Sequence, residues 1–177
     1  MQVQSVCHDT LPWLISFSLD LFHASKPTVG VFASIFDSTS RILLVRHAYG
    51  TRRWSTPGGR VEPGESPLAA LHREVSEEIA CEIRIGPLIG VYAKPYRDDV
   101  VLSFAATIIS GIPQPRPPEI SDVAFLSRDC LPPDLAFNSR VRIDDALEQR
   151  RGLVRVFDTA TSLDSSFDTH ARSHAKA

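Results

Sequence analysis

Glu74, Glu77 and Glu78 stand at spacings of i,i+3 and i,i+4 in the run LAALHREVSEEIA, residues 68 to 80. At roughly 100° per residue on a helix, their carboxylates share one face and can converge. Leu68, Leu71, Val75 and Ile79 form an apolar stripe beside them, the side expected to meet a core. Three like charges that close repel one another and weaken an isolated helix. A hard divalent cation reverses that penalty, because Mg²⁺ and Mn²⁺ prefer carboxylate oxygens. The same pattern also describes a solvated acidic face with Arg73 as a loose surface partner, and spacing alone does not choose between the two.

The stretch just before it, PGGRVEPGES at residues 57 to 66, has the spacing of a phosphate-binding P-loop over Gly59, Gly64, Glu65 and Ser66. A glutamate stands where that loop needs its lysine, and Glu65 would set a negative charge against phosphates. Gly58 and Gly59 lack Cβ and let the backbone approach a metal or a phosphate closely. Loop and helix therefore make more sense together than apart.

Gly59, Glu65, Arg73, Glu74, Glu77 and Glu78, at their mutual spacing, resemble the signature of the Nudix hydrolase superfamily (MutT-like). At typical residue usage, six such identities at fixed spacing arise by chance on the order of once in ten million windows. The flanks resemble the family too, with Trp54 to Gly59 leading into the motif and Val61 to Ser66 forming its loop. One position departs: the family usually has Gly two residues after the last glutamate, and here stands Ala80. Glycine there helps a helix end in a left-handed conformation. Alanine disfavours that ending but removes no metal ligand.

The resemblance implies a division of labour. Glu74, Glu77 and Glu78 would hold a catalytic Mg²⁺, with Mn²⁺ as a substitute, and the Gly59 carbonyl would be a further ligand. Glu65 and Arg73 would pair to tie loop to helix. The base that takes the proton of attacking water differs between family members, and Glu77, Glu78 and the later Glu119 are the candidates here. Arg46, Arg52 and Arg53 are candidate phosphate ligands. Trp54 and Tyr96 could stack on a base or sugar. Each of these five also fits an ordinary surface or core role. His47 has no carboxylate at telling spacing and reads as structural, and His72 as exposed.

The elements that must position these groups can be read around them. VGVFASIF (29 to 36) and RILLVRH (41 to 47) read as strands separated by a polar turn. Ser66 and Pro67 open the acidic helix as N-cap and first helical residue. Residues 81 to 93, 99 to 109 and 122 to 127 read as strands, and 139 to 151 as a second amphipathic helix. The interleaving predicts an α/β fold, with a mixed β-sheet in an α/β/α sandwich, as the Nudix resemblance also implies. Residues 1–25 are expected to be an N-terminal extension, helical over 10 to 24, although Trp13 to Leu21 also alternate like a strand. Residues 26–155 are the expected Nudix domain, and 156–177 a polar, flexible tail.

With 177 residues, a net charge of −2 and a pI near 6.3, the chain suits one domain with no bulk attraction to nucleic acid or membrane. Arg outnumbers Lys sixteen to three, which suits phosphate binding but also follows from GC-rich coding. Cys7, Cys81 and Cys130 form neither a CxxC pair nor an even set, so a reducing, cytoplasmic setting is expected. Leu11 to Phe22 is too short to span a bilayer, and no Lys or Arg precedes it as in a signal peptide.

The function implied is Mg²⁺-dependent hydrolysis of a small nucleotide derivative at its pyrophosphate bond, within a class that includes ADP-ribose, nucleotide sugars, dinucleotides and nucleoside triphosphates. The resemblance also allows a homodimer. The alternative is a Nudix-fold sensor that binds a nucleotide without turnover, for which keeping all three glutamates has no chemical need. Pro95 and Tyr96 lie near, but out of register with, positions that mark particular substrate classes. The marker motifs of the NADH and coenzyme A pyrophosphatases are absent, so the substrate stays unassigned.

Overall fold

The computed structural model of the protein describes residues 27–157. The N-terminal extension expected over 1–25, with its helix, lies outside the described residues, as does the tail from residue 158 onward. Eight strands and two helices follow in the order β1 (Thr28–Ile35), β2 (Ile42–His47), β3 (Trp54–Ser55), β4 (Gly58–Arg60), α1 (Pro67–Ile79), β5 (Glu82–Lys94), β6 (Asp99–Ser110), β7 (Ile120–Leu126), α2 (Phe137–Leu147) and β8 (Leu153–Val156). Among these residues no helix is long and apolar enough to cross a membrane.

The strands form two sheets. A five-stranded mixed sheet has the order β4-β1-β6-β5-β8, with β1 parallel to β6 and β5 parallel to β8. A separate antiparallel sheet has the order β3-β2-β7. Period-two alternation assigns the faces. Val31, Ala33 and Ile35 of β1 pack with Leu43 and Val45 of β2 and with Ala70, Leu71, Val75 and Ile79 of α1, so α1 is held by both sheets. The alternate residues of β2, Ile42 and Leu44, pack instead with Ile143 of α2. The second sheet, and the short strands β3, β4 and β8, go beyond what the sequence predicts.

Helix α1 opens as its sequence requires, with the Ser66 side chain accepting from the Ala69 N–H at 3.2 Å and Pro67 in the first turn. The expected apolar stripe needs one correction. Leu68 is 47% exposed, and Ala70 completes the buried face. Leu68 has the azimuth of Val75 and Ile79, so its place in the first turn, beyond the packed part of the helix, leaves it in solvent.

At the other end Ala80 takes the left-handed conformation, with φ 58° and ψ 35°, and its N–H donates to the Ser76 carbonyl. Alanine pays about 1 kcal/mol or more for that conformation relative to glycine. Ala80→Gly is therefore expected to raise stability by roughly 0.5 kcal/mol, after the extra freedom of the unfolded chain is deducted. A urea titration with a higher midpoint and unchanged slope checks this, and a lower midpoint contradicts it. The loop after β6 finishes the helix end. Gln114 N–H donates to the Ile79 carbonyl and Arg116 N–H to that of Glu78, satisfying acceptors a helix end leaves open. The same loop then delivers Glu119 to the start of β7.

Candidate active site

Burial grades the three helix glutamates. Glu78 falls on the core-facing side of α1 and is 3% exposed. Its carboxylate accepts the Gly58 N–H at 2.8 Å, a bond across 20 residues that fixes β4 against the helix. Burial pushes its pKa up to about 8, against the lowering effect of the Gly58 bond and with the charges of Glu74, Glu119 and Glu77 adding to the rise. Glu74 is half-buried and also raised, chiefly by burial and in spite of Arg73. The side chain of Glu77 is 51% exposed.

Gly58 and Gly59 are required by space. A Cβ on Gly58, at φ 138°, would run into the Val31 carbonyl, and one on Gly59 would lie 2.5 Å from the Glu74 carboxyl carbon. Glu74 thus occupies the room that a side chain at residue 59 would fill.

Arg73 joins the parts. It donates from Nε and Nη2 to the two oxygens of Glu65, each at 3.0 Å, and from Nη2 to the Arg60 carbonyl at 3.1 Å. Its Nη1 donates to Glu74 and Glu77, each at 3.0 Å. This two-pronged pair holds the Glu65 pKa below its usual value, and the bonds to Glu65 hold the guanidinium firmly protonated.

Glu119 is close enough for its charge to act on Glu74, Glu78 and His47. Its carbonyl accepts the Ala48 N–H at 2.8 Å, where the pairing of β2 and β7 shifts register after Arg46. Glu119 and Glu77 line one cavity of about 310 Å³ with Arg116 and the Pro117-Pro118 pair. A second, of about 560 Å³, opens beside Gly58 and Gly59.

The remaining sequence candidates stand apart from both cavities. Arg46 is exposed and donates from Nε to the Arg52 carbonyl at 3.3 Å. Arg52 is an exposed turn residue at φ 50°, and Arg53 is half-buried. Trp54 packs on the cluster of Ile42, Leu44 and Ile143. Tyr96 lies exposed on the turn Pro95–Arg97. Charged residues not singled out in the sequence do line the cavities, Arg116 in the smaller and Arg97 and Arg142 among those in the larger, which His47, read as structural, also lines. For His47, burial holds the pKa down while the Glu119 charge opposes it, so it does acquire a carboxylate neighbour through the fold.

Among the described residues no three acidic, His or Cys side chains converge closely enough to hold an ion. Arg73 engages Glu74 and Glu77, which turns both carboxylates toward its own charge. The donor chemistry nonetheless fits a hard divalent cation. The oxygens are all carboxylate or carbonyl, and the buried Glu78 is disfavoured as an anion by three neighbouring carboxylates whose repulsion a cation would relieve.

Comparison with known proteins bears on the family and the fold. The model of the NUDIX domain matches residues 25–146. A Bacillus subtilis (strain 168) protein provisionally named 8-oxo-dGTP diphosphatase is 32% identical over 118 residues, 67% of this chain and 78% of that protein. The NAD-capped RNA hydrolase NudC of Pseudomonas entomophila (strain L48) is 37% identical over 115 residues, 63% of this chain but only 42% of the relative. The chain thus spans less than half the length of that second relative. A NUDIX hydrolase structure from Nitrosomonas europaea shares the fold with a TM-score of 0.69 at 22% identity, covering 77% of this chain and 82% of that one. With a matched domain covering more than half of its length, the chain belongs to the NUDIX domain family.

Proposed function

We propose that the chain hydrolyses the pyrophosphate bond of a small nucleotide derivative with the help of a divalent cation, Mg²⁺ in the first instance. It is a pyrophosphohydrolase of the Nudix type, from a family whose members generally use divalent cations. The observation that carries the reading is that Glu78 and Glu74 lie against the Gly58 and Gly59 backbone, near enough to Glu77 and Glu119 for those charges to act on Glu78, with Arg73 pinning the loop to the helix.

Glu74, Glu77, Glu78 and the Gly59 carbonyl would hold the cation. The chemistry such an ion supplies is neutralisation of phosphoryl charge and acidification of bound water. The protein's own part is to place a proton acceptor beside the attacking water. The water oxygen bonds to phosphorus, the anhydride P–O bond breaks, and the proton passes to a carboxylate of Glu77, Glu78 or Glu119. Glu77 and Glu119 both face the smaller cavity, which gives either one access to water there. Arg116 adds a cation at the same wall, suited to charge that develops on phosphoryl oxygens.

The test is a hydrolysis panel with Mg²⁺: ADP-ribose, nucleotide sugars, dinucleoside polyphosphates, nucleoside triphosphates including 8-oxo-dGTP, and NAD-capped RNA. At least one member is expected to yield phosphorylated products, and chelation of the metal should stop the reaction. Tight binding of a member with no turnover of any would favour the sensor reading, and turnover unaffected by chelation would overturn the metal assignment.

A further inference from the structure

The larger cavity is positively charged although the chain is not. Four cationic side chains line it, Arg60, Lys94, Arg97 and Arg142, against one carboxylate, Asp99. Asp99 is already engaged, accepting from the Thr28 hydroxyl at 2.8 Å and pairing with Lys94. Among the described residues, no carboxylate pairs with Arg60, Arg97 or Arg142.

Arg142 is the unusual member. It projects from α2 and is 3% exposed, yet it has no ion-pair partner there. Its Nη2 donates to the Ser139 hydroxyl at 3.2 Å, and its guanidinium lies 4.5 Å from the centre of the Phe32 ring, while its Nε has no hydrogen-bond partner. A stacked ring, one hydroxyl and the more distant charge of Asp99 compensate a buried cation poorly, and burial lowers its pKa to about 10 against the opposing effects of Tyr92 and Asp99. A group this costly to bury, at the wall of a cavity, is suited to an anion that enters from solvent.

A second feature faces the same space. The first turn of α2 contributes Ala136, Asn138 and Ser139 to the lining. Among the described residues no side chain caps that helix start. The Ser139 N–H already donates to the Ala136 carbonyl at 2.9 Å, which leaves the N–H groups of Phe137 and Asn138 and the positive end of the helix dipole for a ligand.

We infer that the cavity bounded by β1, β6 and the start of α2 binds a phosphate group on the part of the substrate remote from the cleaved bond, with Arg142 as the residue that selects for it. Such a substrate carries a phosphomonoester in addition to its diphosphate. The inference rests on the proposed function for the claim that the bound phosphate belongs to a substrate. It is independent of that function for the claim that the cavity takes a phosphate. Gly58 and Gly59 line this cavity and also lie against the carboxylates of Glu78 and Glu74, so the cavity adjoins the acidic helix across their backbone.

Calorimetric titration of the full-length chain in EDTA, at low salt, tests it without any turnover. The probes are ribose 5-phosphate, ribose and inorganic phosphate. Ribose 5-phosphate is expected to bind at least tenfold more tightly than ribose or inorganic phosphate. Arg142→Gln should weaken it at least tenfold. Should that variant not fold, Ser139→Asp decides, because it sets a carboxylate against Arg142 and neutralises the guanidinium while keeping its packing on Phe32.

Equal binding of ribose and its phosphate, or affinities untouched in the folded variants, would overturn the inference. Inorganic phosphate binding as tightly as ribose 5-phosphate would assign the site to a free ion and overturn the substrate part. A chain that hydrolyses nothing yet passes this test loses the proposed function but keeps the cavity. A chain that hydrolyses nucleotides but fails it loses only the cavity.

Discussion

Glu78→Gln is expected to lower kcat at least about a hundred-fold while making the metal-free protein more stable above pH 8. The first effect follows from removing a charged carboxylate from the ligand and base set, where such groups contribute on the order of 10²–10⁴ in rate. The second follows from burial. In the folded protein Glu78 has a pKa of about 8 against its ordinary value of 4.5. A raised pKa means the folded protein holds its proton more tightly than the unfolded chain does. That contribution is fully present below about pH 4.5 and is lost as pH rises through 8. Gln is uncharged at every pH and its oxygen can still accept the Gly58 N–H, so the variant escapes the loss. The gain at pH 9 is on the order of 1–3 kcal/mol, after allowing for the unpaired amide it introduces. Urea titrations of both proteins in EDTA at pH 5, 7 and 9 measure it. The two curves should converge at pH 5 and separate at pH 9. Parallel pH dependence in the two would mean that Glu78 is charged in the folded protein throughout.

A residue that gives the folded protein stability when it is removed is one that function retains against folding. Sequence spacing places Glu74, Glu77 and Glu78 as equals on one helix, because a helix repeats regularly and its faces can be computed. Their ranking is not local. Glu78 is buried because Gly58, 20 residues earlier, runs its backbone past the helix, and Glu77 is exposed because no described residue covers that side. Glu119 could be named as a candidate from its place before a strand. Its arrival depends on a loop that caps α1 through Gln114 and Arg116, bonds no periodicity reveals. The long strands and both helices were legible from alternation and from the Ser66-Pro67 start. Strands β3, β4 and β8, of two to four residues, are too short to carry a period, and the division into two sheets rests on pairings such as β2 with β7. Arg142 was the least legible. In sequence it is one of several arginines on an amphipathic helix, and only the packing of α2 over Phe32 turns it into a buried cation.

Asp145→Ala is expected to cost about 3 kcal/mol, the largest stability loss among the changes considered. Asp145 lies three residues beyond Arg142 on α2 and is 2% exposed. Its carboxylate accepts the Tyr92 hydroxyl of β5 at 3.0 Å, Arg155 of β8 through Nε at 2.7 Å and Nη2 at 2.6 Å, and Arg150 through Nη1 at 3.2 Å. One side chain therefore clasps the helix to two neighbouring strands of the five-stranded sheet. Removing it leaves the fully buried Tyr92 hydroxyl without this acceptor and strips Arg155 of its two-pronged partner, although Arg155 is exposed enough to turn partly to water. Tyr92→Phe should therefore cost much less in the Asp145→Ala background than in the wild type, the coupling expected when two groups share one buried bond. Urea unfolding of the four proteins completes that cycle. Independent, additive losses would show that Tyr92 and Asp145 do not stabilise one another. The loss should also change little between low and moderate salt, because a buried pair is poorly screened. Since α2 carries Arg142 and the uncapped turn at the cavity, loosening its clasp should weaken ribose 5-phosphate binding in the folded Asp145→Ala protein as well. A variant that is destabilised yet binds that probe as the wild type does would separate the clasp from the cavity.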